Sequence, residues 1–425
     1  MAGVLFTTFF LLLLIGAPIV FAIAVGTAGS LMIGGFSLAI LPQMVFSGLA
    51  HFPYLAVPLF ILAGMLMETG GISKRIVDLA NALVGHIRGG MGMVVMVATI
   101  FFSDISGSSA ADTAAIGSVM IPPMKKRGYD ASFAAALVTA AAGMGVLIPP
   151  CLTMVVFGSL TNTSIGALFL AGFVPGISMG LILMVLTYII ARKKNLPRER
   201  RATFWELLVA VKRSLLSLFM GVIILGGIIL GIFTATEAAA VAVIYGFILS
   251  VAVYREIRLS QLPEILWKSA SISGVVMLVV GISYAFGWVM AREMIPMKLA
   301  AFMADIPGGK YVFLLAVNFL LLAMGMFFDA SLSVIIVVPI IFPVAVSLGV
   351  DPVHFGTFVV MNLGIGFTTP PFGISLIIAS SIANVPLTSI VKPILPYIMT
   401  MIGFLLVITY VPWFSLVLPR IFMGY

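Results

Sequence analysis

Apolar runs long enough to cross a hydrocarbon core recur along the chain from Val4 to Leu418. A membrane-spanning helix needs about 20 such residues, and only helices or closed barrels satisfy their backbone groups inside lipid. The 425 residues are 62% hydrophobic and only 8% charged, whereas about a quarter of the residues in soluble domains are charged. The short alternating segments of a membrane barrel are absent. The sequence therefore predicts an all-α polytopic membrane protein.

The net charge of +8 indicates membrane topology rather than nucleic-acid binding. No run of basic residues is interleaved with aromatic residues in a hydrophilic segment, as a nucleic-acid surface requires. Cys151 is the only cysteine, so an intramolecular disulfide is excluded.

Two similar series of apolar segments flank one basic linker, which extends from Arg192 to Arg213. Each series contains three apolar runs, a short amphipathic piece, a long stretch with a polar centre, an interrupted helix and a last span. The expected segments of the first series are 4–25, 27–46, 54–69, 74–85, 90–123, 131–160 and 167–191. Those of the second series are 215–233, 235–254, 267–291, 295–304, 311–345, 354–384 and 394–417.

The two halves superpose without a gap over some 70 residues at an offset of 221. The matched pairs are Pro122 with Pro343, Gly128 with Gly349, Asp130 with Asp351, Gly143 with Gly364, Gly145 with Gly366, Pro149 and Pro150 with Pro370 and Pro371, and Pro175 with Pro396. The polar centres also coincide, because Ser108 falls on Asp329 and Asp112 on Ser333. So many coincident Gly and Pro positions indicate an internal repeat.

The number of crossings predicts that the second repeat is inverted. If 90–123 and 311–345 are re-entrant hairpins, each half crosses the membrane five times, and an odd number reverses the orientation. With the central linker in the cytoplasm, 18 of the 22 Lys and Arg residues lie inside, which is a strong positive-inside bias. Both termini then face outward, the first hairpin opens to the cytoplasm and the second opens to the outside.

This topology divides the chain into six parts. Residues 90–165 and 309–386 each comprise a hairpin plus a broken helix. The remaining parts are 1–89 and 215–308 (the first segments of each repeat), 166–214 (a last span and the linker) and 387–425 (the final span).

Each half combines a polar hairpin tip with a broken helix, and this combination suits a small cation. A helix interrupted within the membrane leaves unpaired carbonyl groups at one broken end and unpaired N–H groups at the other. We therefore expect one Na⁺ site per half. The first comprises Ser103, Asp104, Ser106, Gly145, Ile148 and Pro149, and the second comprises Gly325, Asp329, Gly366, Thr368, Thr369 and Pro370. The alternative is that the breaks are kinks repaired by neighbouring helices, with Ser and Thr hydroxyls bonded back to carbonyls.

An anionic carboxylate is expected to bind between the two hairpin tips, near Ser108, Ser109, Ser331 and Thr369. Hydroxyls and helix N-termini can bind a carboxylate there without a fixed positive charge.

Several other polar residues have simpler interpretations. Asp112 either caps the returning helix of the first hairpin or binds the ion, and the sequence leaves both open. Glu237 lies three residues after Thr234, a spacing that favours a capping box over a proton carrier. The three histidines lie at no metal-ligand spacing, and Cys151 has no activating base nearby in sequence, which indicates a packing role.

Five segments carry a resemblance to the large membrane subunit of tripartite ATP-independent periplasmic (TRAP) transporters, the DctM-like family. They are PLFILAGMLMETGGIS at 58–73, SDISGSSAADTAAIGSVMIPPM at 103–124, GMGVLIPP at 143–150, TATEAAAVA at 234–242 and GIGFTTPPFG at 364–373. The similarity covers nearly the whole chain, and within the family the chain most resembles the sialic acid branch. Cys151 stands where the family often has Ser.

The resemblance implies a Na⁺-coupled importer of organic anions in the bacterial inner membrane, with no enzymatic activity and no organic cofactor. It also implies two partners, a small four-helix membrane subunit and a periplasmic substrate-binding protein, both expected as separate chains. The implied mechanism is an elevator motion. In it, the hairpins and broken helices of 90–165 and 309–386 form a transport domain that moves as one body against a scaffold, to which 1–89 and 215–308 contribute a scaffold and an arm in each repeat.

There are two alternatives to this interpretation, one within transport and one of a different class. A stand-alone Na⁺/dicarboxylate symporter of related fold would need no partner. An intramembrane aspartyl protease would use Asp104 or Asp112 with Asp329, but the chain has no Gly-x-Gly-Asp motif.

Overall fold

In the computed structural model, residues 1–424 are described, apart from the side chain of Ala304, and they form helices and connecting turns with no strand among them. Among these described residues, eight helices are long and apolar enough to cross a membrane. The prediction of an all-α polytopic membrane protein is therefore confirmed.

The first repeat contains ten α-helices. They are α1 (Ala2–Leu14), α2 (Ile19–Ile33), α3 (Ile40–Leu49), α4 (Ala56–Thr69), α5 (Ile72–Val84), α6 (Gly90–Ser106), α7 (Ser109–Lys126), α8 (Ala131–Gly145), α9 (Leu152–Thr161) and α10 (Ile165–Lys193). A short 3₁₀ helix, Phe52–Leu55, precedes α4.

The second repeat also contains ten. They are α11 (Phe204–Ile229), α12 (Ala235–Phe247), α13 (Leu262–Arg292), α14 (Ile295–Ala304), α15 (Gly309–Phe327), α16 (Ala330–Ser347), α17 (Pro352–Gly366), α18 (Ile374–Ala383), α19 (Leu387–Tyr410) and α20 (Trp413–Met423). A π-helical segment, Ile248–Val253, continues α12, and a 3₁₀ turn, Leu259–Gln261, precedes α13.

Two of the expected apolar spans are wrong. Residues 4–25 are divided between α1 and α2, which pack against each other, and 27–46 are divided between α2 and α3. Gly16 and Gly35 have φ values of +81° and +72°, a left-handed conformation that ends a helix and that L-residues with side chains rarely adopt. The sequence did not indicate these breaks, because apolar residues continue through both turns.

The helix bounds reproduce the internal repeat. A shift of 221 residues carries the bounds of α7 onto those of α16, and the bounds of α8 onto those of α17. The start of α8 and the start of α17 have the same cause, since Asp130 and Asp351 accept hydrogen bonds from the first free backbone N–H groups of their helices.

Both expected helix interruptions are confirmed. The break between α8 and α9 contains a cis Pro149–Pro150 bond, and the break between α17 and α18 contains a cis Pro370–Pro371 bond.

The core centres on the two broken helices. Every residue of α8 from Phe133 to Gly145 is buried, and so is every residue of α17 from Val353 to Gly366. The two helices meet at Gly143 and Gly364, where a Cβ on Gly364 would lie 2.6 Å from the Gly143 carbonyl oxygen. Glycine at both repeat-related positions permits this close helix approach. The breaks of the two helices are thereby held near the centre of the molecule.

Each broken helix adjoins a helical hairpin. Helices α6 and α7 pack together and are joined by Gly107 and Ser108, and α15 and α16 are joined by Phe328 and Asp329. Gly107 has a φ of +61°, and a Cβ there would lie 2.8 Å from the Pro150 carbonyl oxygen. The tip of the first hairpin therefore rests directly on the first break.

Candidate functional site

A polar cluster lies where the first hairpin meets the first broken helix. The Ser103 and Ser106 hydroxyls both donate to the carboxylate of Asp112, one to each oxygen. Ser103 and Asp112 are buried within the protein. A carboxylate at this depth is costly unless it is paired or hydrogen-bonded, and the two serine hydroxyls supply these hydrogen bonds.

Gly145 completes this cluster from the broken helix. A Cβ at this position would lie 2.5 Å from Asp112 Oδ2 and still closer to Ser103 Oγ. The backbone of Gly145 therefore faces the oxygen atoms directly, and the chain continues into Ile148 and Pro149 without a regular helix. Hydroxyl, carboxylate and carbonyl oxygens are the ligand types that hard cations prefer.

Asp104 lies apart from this cluster. A Cβ on Gly221 of α11 would lie 2.5 Å from Asp104 Oδ1, so the Asp104 carboxylate faces α11 rather than Gly145. Asp112, for which the sequence left two roles open, is the carboxylate that the structure brings to Ser103 and Ser106. It lies in the first turn of α7, but no side-chain cap of that helix is formed.

The corresponding region of the second half brings together Gly325, Gly366, Thr368 and Thr369. A Cβ on Gly366 would lie 2.6 Å from the Gly325 Cα. The hydroxyls of Thr368 and Thr369 each donate to the Ile365 carbonyl at 2.7 Å. These two hydroxyls thus make the backward bonds of the kink interpretation, while their oxygen lone pairs stay available to a cation.

Asp329 and Ser333 show how the second half differs from the first. Asp329 caps α16, accepting a hydrogen bond of 2.9 Å from the backbone N–H of Ser331. Ser333, the repeat partner of Asp112, is fully buried, and its hydroxyl has no hydrogen-bond partner within the described chain. Buried polar atoms without a partner are rare, so this hydroxyl is consistent with an additional ligand. The repeat alignment already marked this position.

A cavity of about 650 Å³ lies between the two hairpin tips and helices α4 and α13. Its walls include the tip residues Ser106–Ala111 and Asp329–Leu332, together with Val146 and Phe367 from the two breaks. Of the four residues expected near an anion, Ser108, Ser109 and Ser331 line this cavity and Thr369 does not. Sequence reasoning missed Glu68, Thr153 and Ser271, which also line it, because they lie outside the hairpins.

Three helix N-termini converge on this cavity. The first residues of α7, α9 and α16 all line it. Free N–H groups and the helix dipole make each such end favourable to an anion. Among the lining residues none is Lys or Arg, so the positive potential that an anion would meet here comes from the backbone.

Three of the other polar residues have structural roles. Thr234 and Glu237 form the predicted capping box of α12. The backbone N–H of Thr234 donates to the Glu237 carboxylate at 2.8 Å, and the backbone N–H of Glu237 donates to the Thr234 hydroxyl at 3.3 Å. Cys151 is fully buried, in agreement with a packing role. No group of three or more His, Cys, Asp and Glu residues with metal-site geometry occurs in the described part of the chain.

A repeat of hairpins and broken helices around a central cavity is the architecture of a membrane transporter. Residues 6–414 match the family described as "Tripartite ATP-independent periplasmic transporter, DctM component". The chain therefore belongs to this family of transporter permeases, which are not enzymes, and the protease alternative is excluded.

Relatives with different named substrates are similar to the chain over most of its length. It is 42% identical to the C4-dicarboxylate TRAP transporter large permease protein DctM of Pseudomonas aeruginosa, covering 93% of this chain and 94% of the relative. It is 39% identical to the sialic acid TRAP transporter large permease protein SiaM of Vibrio cholerae, covering 97% of each. It is 40% identical to the isethionate TRAP transporter permease protein DctMQ of Oleidesulfovibrio alaskensis, covering 99% of this chain and 66% of the relative.

Two solved transporter structures share the fold. The YdaH transporter of Alcanivorax borkumensis has a TM-score of 0.63 at 14% identity, with 90% of each chain covered. MtrF of Neisseria gonorrhoeae has a TM-score of 0.59 at 14% identity, with 88% of this chain and 83% of that chain covered.

Proposed function

We propose that the chain is the large membrane subunit of a Na⁺-coupled tripartite transporter that imports an organic anion through the bacterial inner membrane. The observation that carries this proposal is the central cavity, where three helix N-termini meet next to an oxygen-rich cluster on a broken helix. The first feature suits an anion and the second suits a small cation. A site that offers both is suited to symport.

The first Na⁺ site consists of Ser103, Ser106, Gly145, Ile148 and Pro149. Asp112 takes the place of Asp104 as the carboxylate of this site, because Ser103 and Ser106 already donate to it. Bound Na⁺ would rotate these hydroxyl hydrogens away and would share the oxygens. The ion would thereby link the first hairpin to the broken helix.

The second Na⁺ site consists of Gly325, Gly366, Thr368, Thr369 and Pro370, with Asp329 at the adjacent tip. This site is supported by its repeat relationship to the first. The unpartnered Ser333 hydroxyl, at the position that corresponds to Asp112 in the repeat, would add a ligand oxygen for the ion. We place the substrate carboxylate at Ser108, Ser109 and Ser331, which line the cavity. Thr369 does not line the cavity and is assigned to the second Na⁺ site alone.

The proposed mechanism is an elevator motion of residues 90–165 and 309–386 against the rest of the chain. The cavity supports it, since one wall comes from the hairpins and the other from α4 and α13. The proposed orientation places the central linker in the cytoplasm and both termini in the periplasm. The family name implies the small membrane subunit and the periplasmic binding protein as partners.

Reconstitution tests the coupling and the partners together. We expect proteoliposomes with the chain, its small subunit and its binding protein to accumulate substrate only under an inward Na⁺ gradient. The substrates named for the relatives, a C4-dicarboxylate, sialic acid and isethionate, are suitable first probes. Uptake by the chain alone would contradict the tripartite proposal, and equal uptake in a K⁺ gradient would contradict Na⁺ coupling.

A further inference from the structure

Glu68 is the one charged residue that α4 and α13 contribute to the central cavity, within the chain as described. It lies one helical turn beyond Gly64, so both residues are on the same face of α4. A Cβ on Gly64 would lie 3.4 Å from the Ser106 carbonyl oxygen at the first hairpin tip. This contact places Glu68 beside the tip that carries the proposed substrate hydroxyls.

The Glu68 carboxylate has neither an ion-pair nor a hydrogen-bond partner in residues 1–424. Lys268, on the neighbouring helix α13, instead pairs with Glu264 at 2.7 Å. The other cavity carboxylate, Asp329, is engaged with the backbone of its own helix. Glu68 is therefore the cavity carboxylate whose oxygens are free for a ligand.

The cavity thus has two kinds of wall. The hairpin side presents helix N-termini, which attract a carboxylate. The α4 side presents Glu68, which lies close to the C-terminal end of α4, where the helix dipole is also negative. A substrate between these walls can place one carboxylate at the hairpins. A second carboxylate at its other end would face Glu68.

We propose that Glu68 determines which substrates the cavity accepts, favouring monocarboxylates whose other end carries hydroxyl, amide N–H or amino groups. Such groups donate hydrogen bonds to the Glu68 oxygens, whereas the second carboxylate of a dianion is repelled. This inference rests on the proposed function and makes its substrate class more specific. The proposed substrate class differs from the C4-dicarboxylates named for a relative that is 42% identical to the chain.

The size of the discrimination follows from the charge repulsion. For two unit charges about 6 Å apart in an effective dielectric constant of about 20, the repulsion corresponds to roughly a 100-fold change in affinity. Solvent in the cavity reduces this value, so we expect at least about 10-fold.

The test uses two sugar acids of equal length, D-gluconate and D-glucarate, which differ only in having a hydroxyl or a carboxylate at the sixth carbon. Their binding to the purified full-length chain is measured in Na⁺ buffer, for the wild type and for Glu68→Gln. We expect the wild type to bind gluconate at least about 10-fold more tightly than glucarate. In Glu68→Gln this ratio should fall close to one, whereas a variant that merely perturbs folding would weaken both ligands alike.

Two control variants sharpen the comparison. Glu256→Gln removes a carboxylate that pairs with Arg75 outside the cavity, so it should leave the ratio unchanged. Glu68→Asp should retain most of the ratio. Equal binding of the two acids by the wild type, or an unchanged ratio in Glu68→Gln, would overturn the role of Glu68.

The stability of the chain in Na⁺ distinguishes the two proposals. If neither acid binds while Na⁺ still raises the melting temperature above its value in K⁺, the substrate class is wrong and the Na⁺ sites stand. If Na⁺ also has no effect, the proposed function fails.

Discussion

The substitution Gly145→Ala is the most direct test of the first Na⁺ site. The new methyl group would lie 2.5 Å from Asp112 Oδ2 and closer still to Ser103 Oγ, so it would occupy the space where the ion is proposed to bind. Both oxygens belong to buried, hydrogen-bonded side chains that cannot move without breaking a bond. We therefore expect loss of Na⁺ binding as well as some loss of stability.

The magnitudes separate these two effects. A lost hydrogen bond to a charged group costs about 1.5–3 kcal/mol, and overpacking of a core costs about 1–3 kcal/mol, so the variant should be less stable in every buffer. At a Na⁺ concentration of about 100 times the dissociation constant, ion binding stabilises the wild type by about 2.7 kcal/mol. The variant should lack this Na⁺-dependent increment completely.

The assay compares thermal unfolding of the purified chain in NaCl and KCl at equal ionic strength. The wild type should melt higher in NaCl, and Gly145→Ala should melt at the same temperature in both salts. Gly226→Ala is the matched control, because a Cβ on Gly226 of α11 meets nothing within 4 Å, and it should keep the full Na⁺ effect. A Gly145→Ala protein that is stabilised by Na⁺ as strongly as the wild type would refute the assignment.

Three further predictions concern residues that the sequence or the structure singled out. Asp112→Asn should abolish the difference in melting temperature between NaCl and KCl, whereas Asp104→Asn should retain it, since the Asp104 carboxylate faces Gly221 of α11. The reverse result would restore Asp104 to the site. Gly364→Ala should lower the free energy of unfolding by about 1–3 kcal/mol with or without Na⁺, because its methyl group would lie 2.6 Å from the Gly143 carbonyl oxygen. Unchanged chemical denaturation would show that α8 and α17 can separate freely. Thr234→Ala should lower the free energy of unfolding by about 0.5–2 kcal/mol, because the α12 capping box is lost, and it should leave Na⁺-driven uptake in proteoliposomes intact. Abolished uptake at normal stability would point to a role for this cap in transport.

Much of this architecture was predictable from local sequence. The apolar runs indicate membrane helices because lipid leaves the backbone no other partners, and Gly and Pro at matching positions reveal the repeat because they mark the breaks of α8 and α17. The capping residues Asp130, Asp351 and Thr234 act within three residues of themselves, so their roles follow from spacing alone. The divisions near Gly16 and Gly35 were missed because apolar residues continue through both turns.

Only the tertiary structure decided which polar side chains meet. Asp104 and Asp112 are both acidic residues near one hairpin tip, and the packing of α6 against α7 brings Asp112 to Ser103 and Ser106, while Asp104 faces α11. Glu68 joins the cavity because α4 packs, next to Gly64, against the tip of a hairpin some 40 residues away in sequence. Apart from the turns at Gly16 and Gly35, the sequence by itself determined where the helices break, since backbone hydrogen bonding is local. The composition of the site depended on which helix faces pack together, and that is settled by contacts between distant segments.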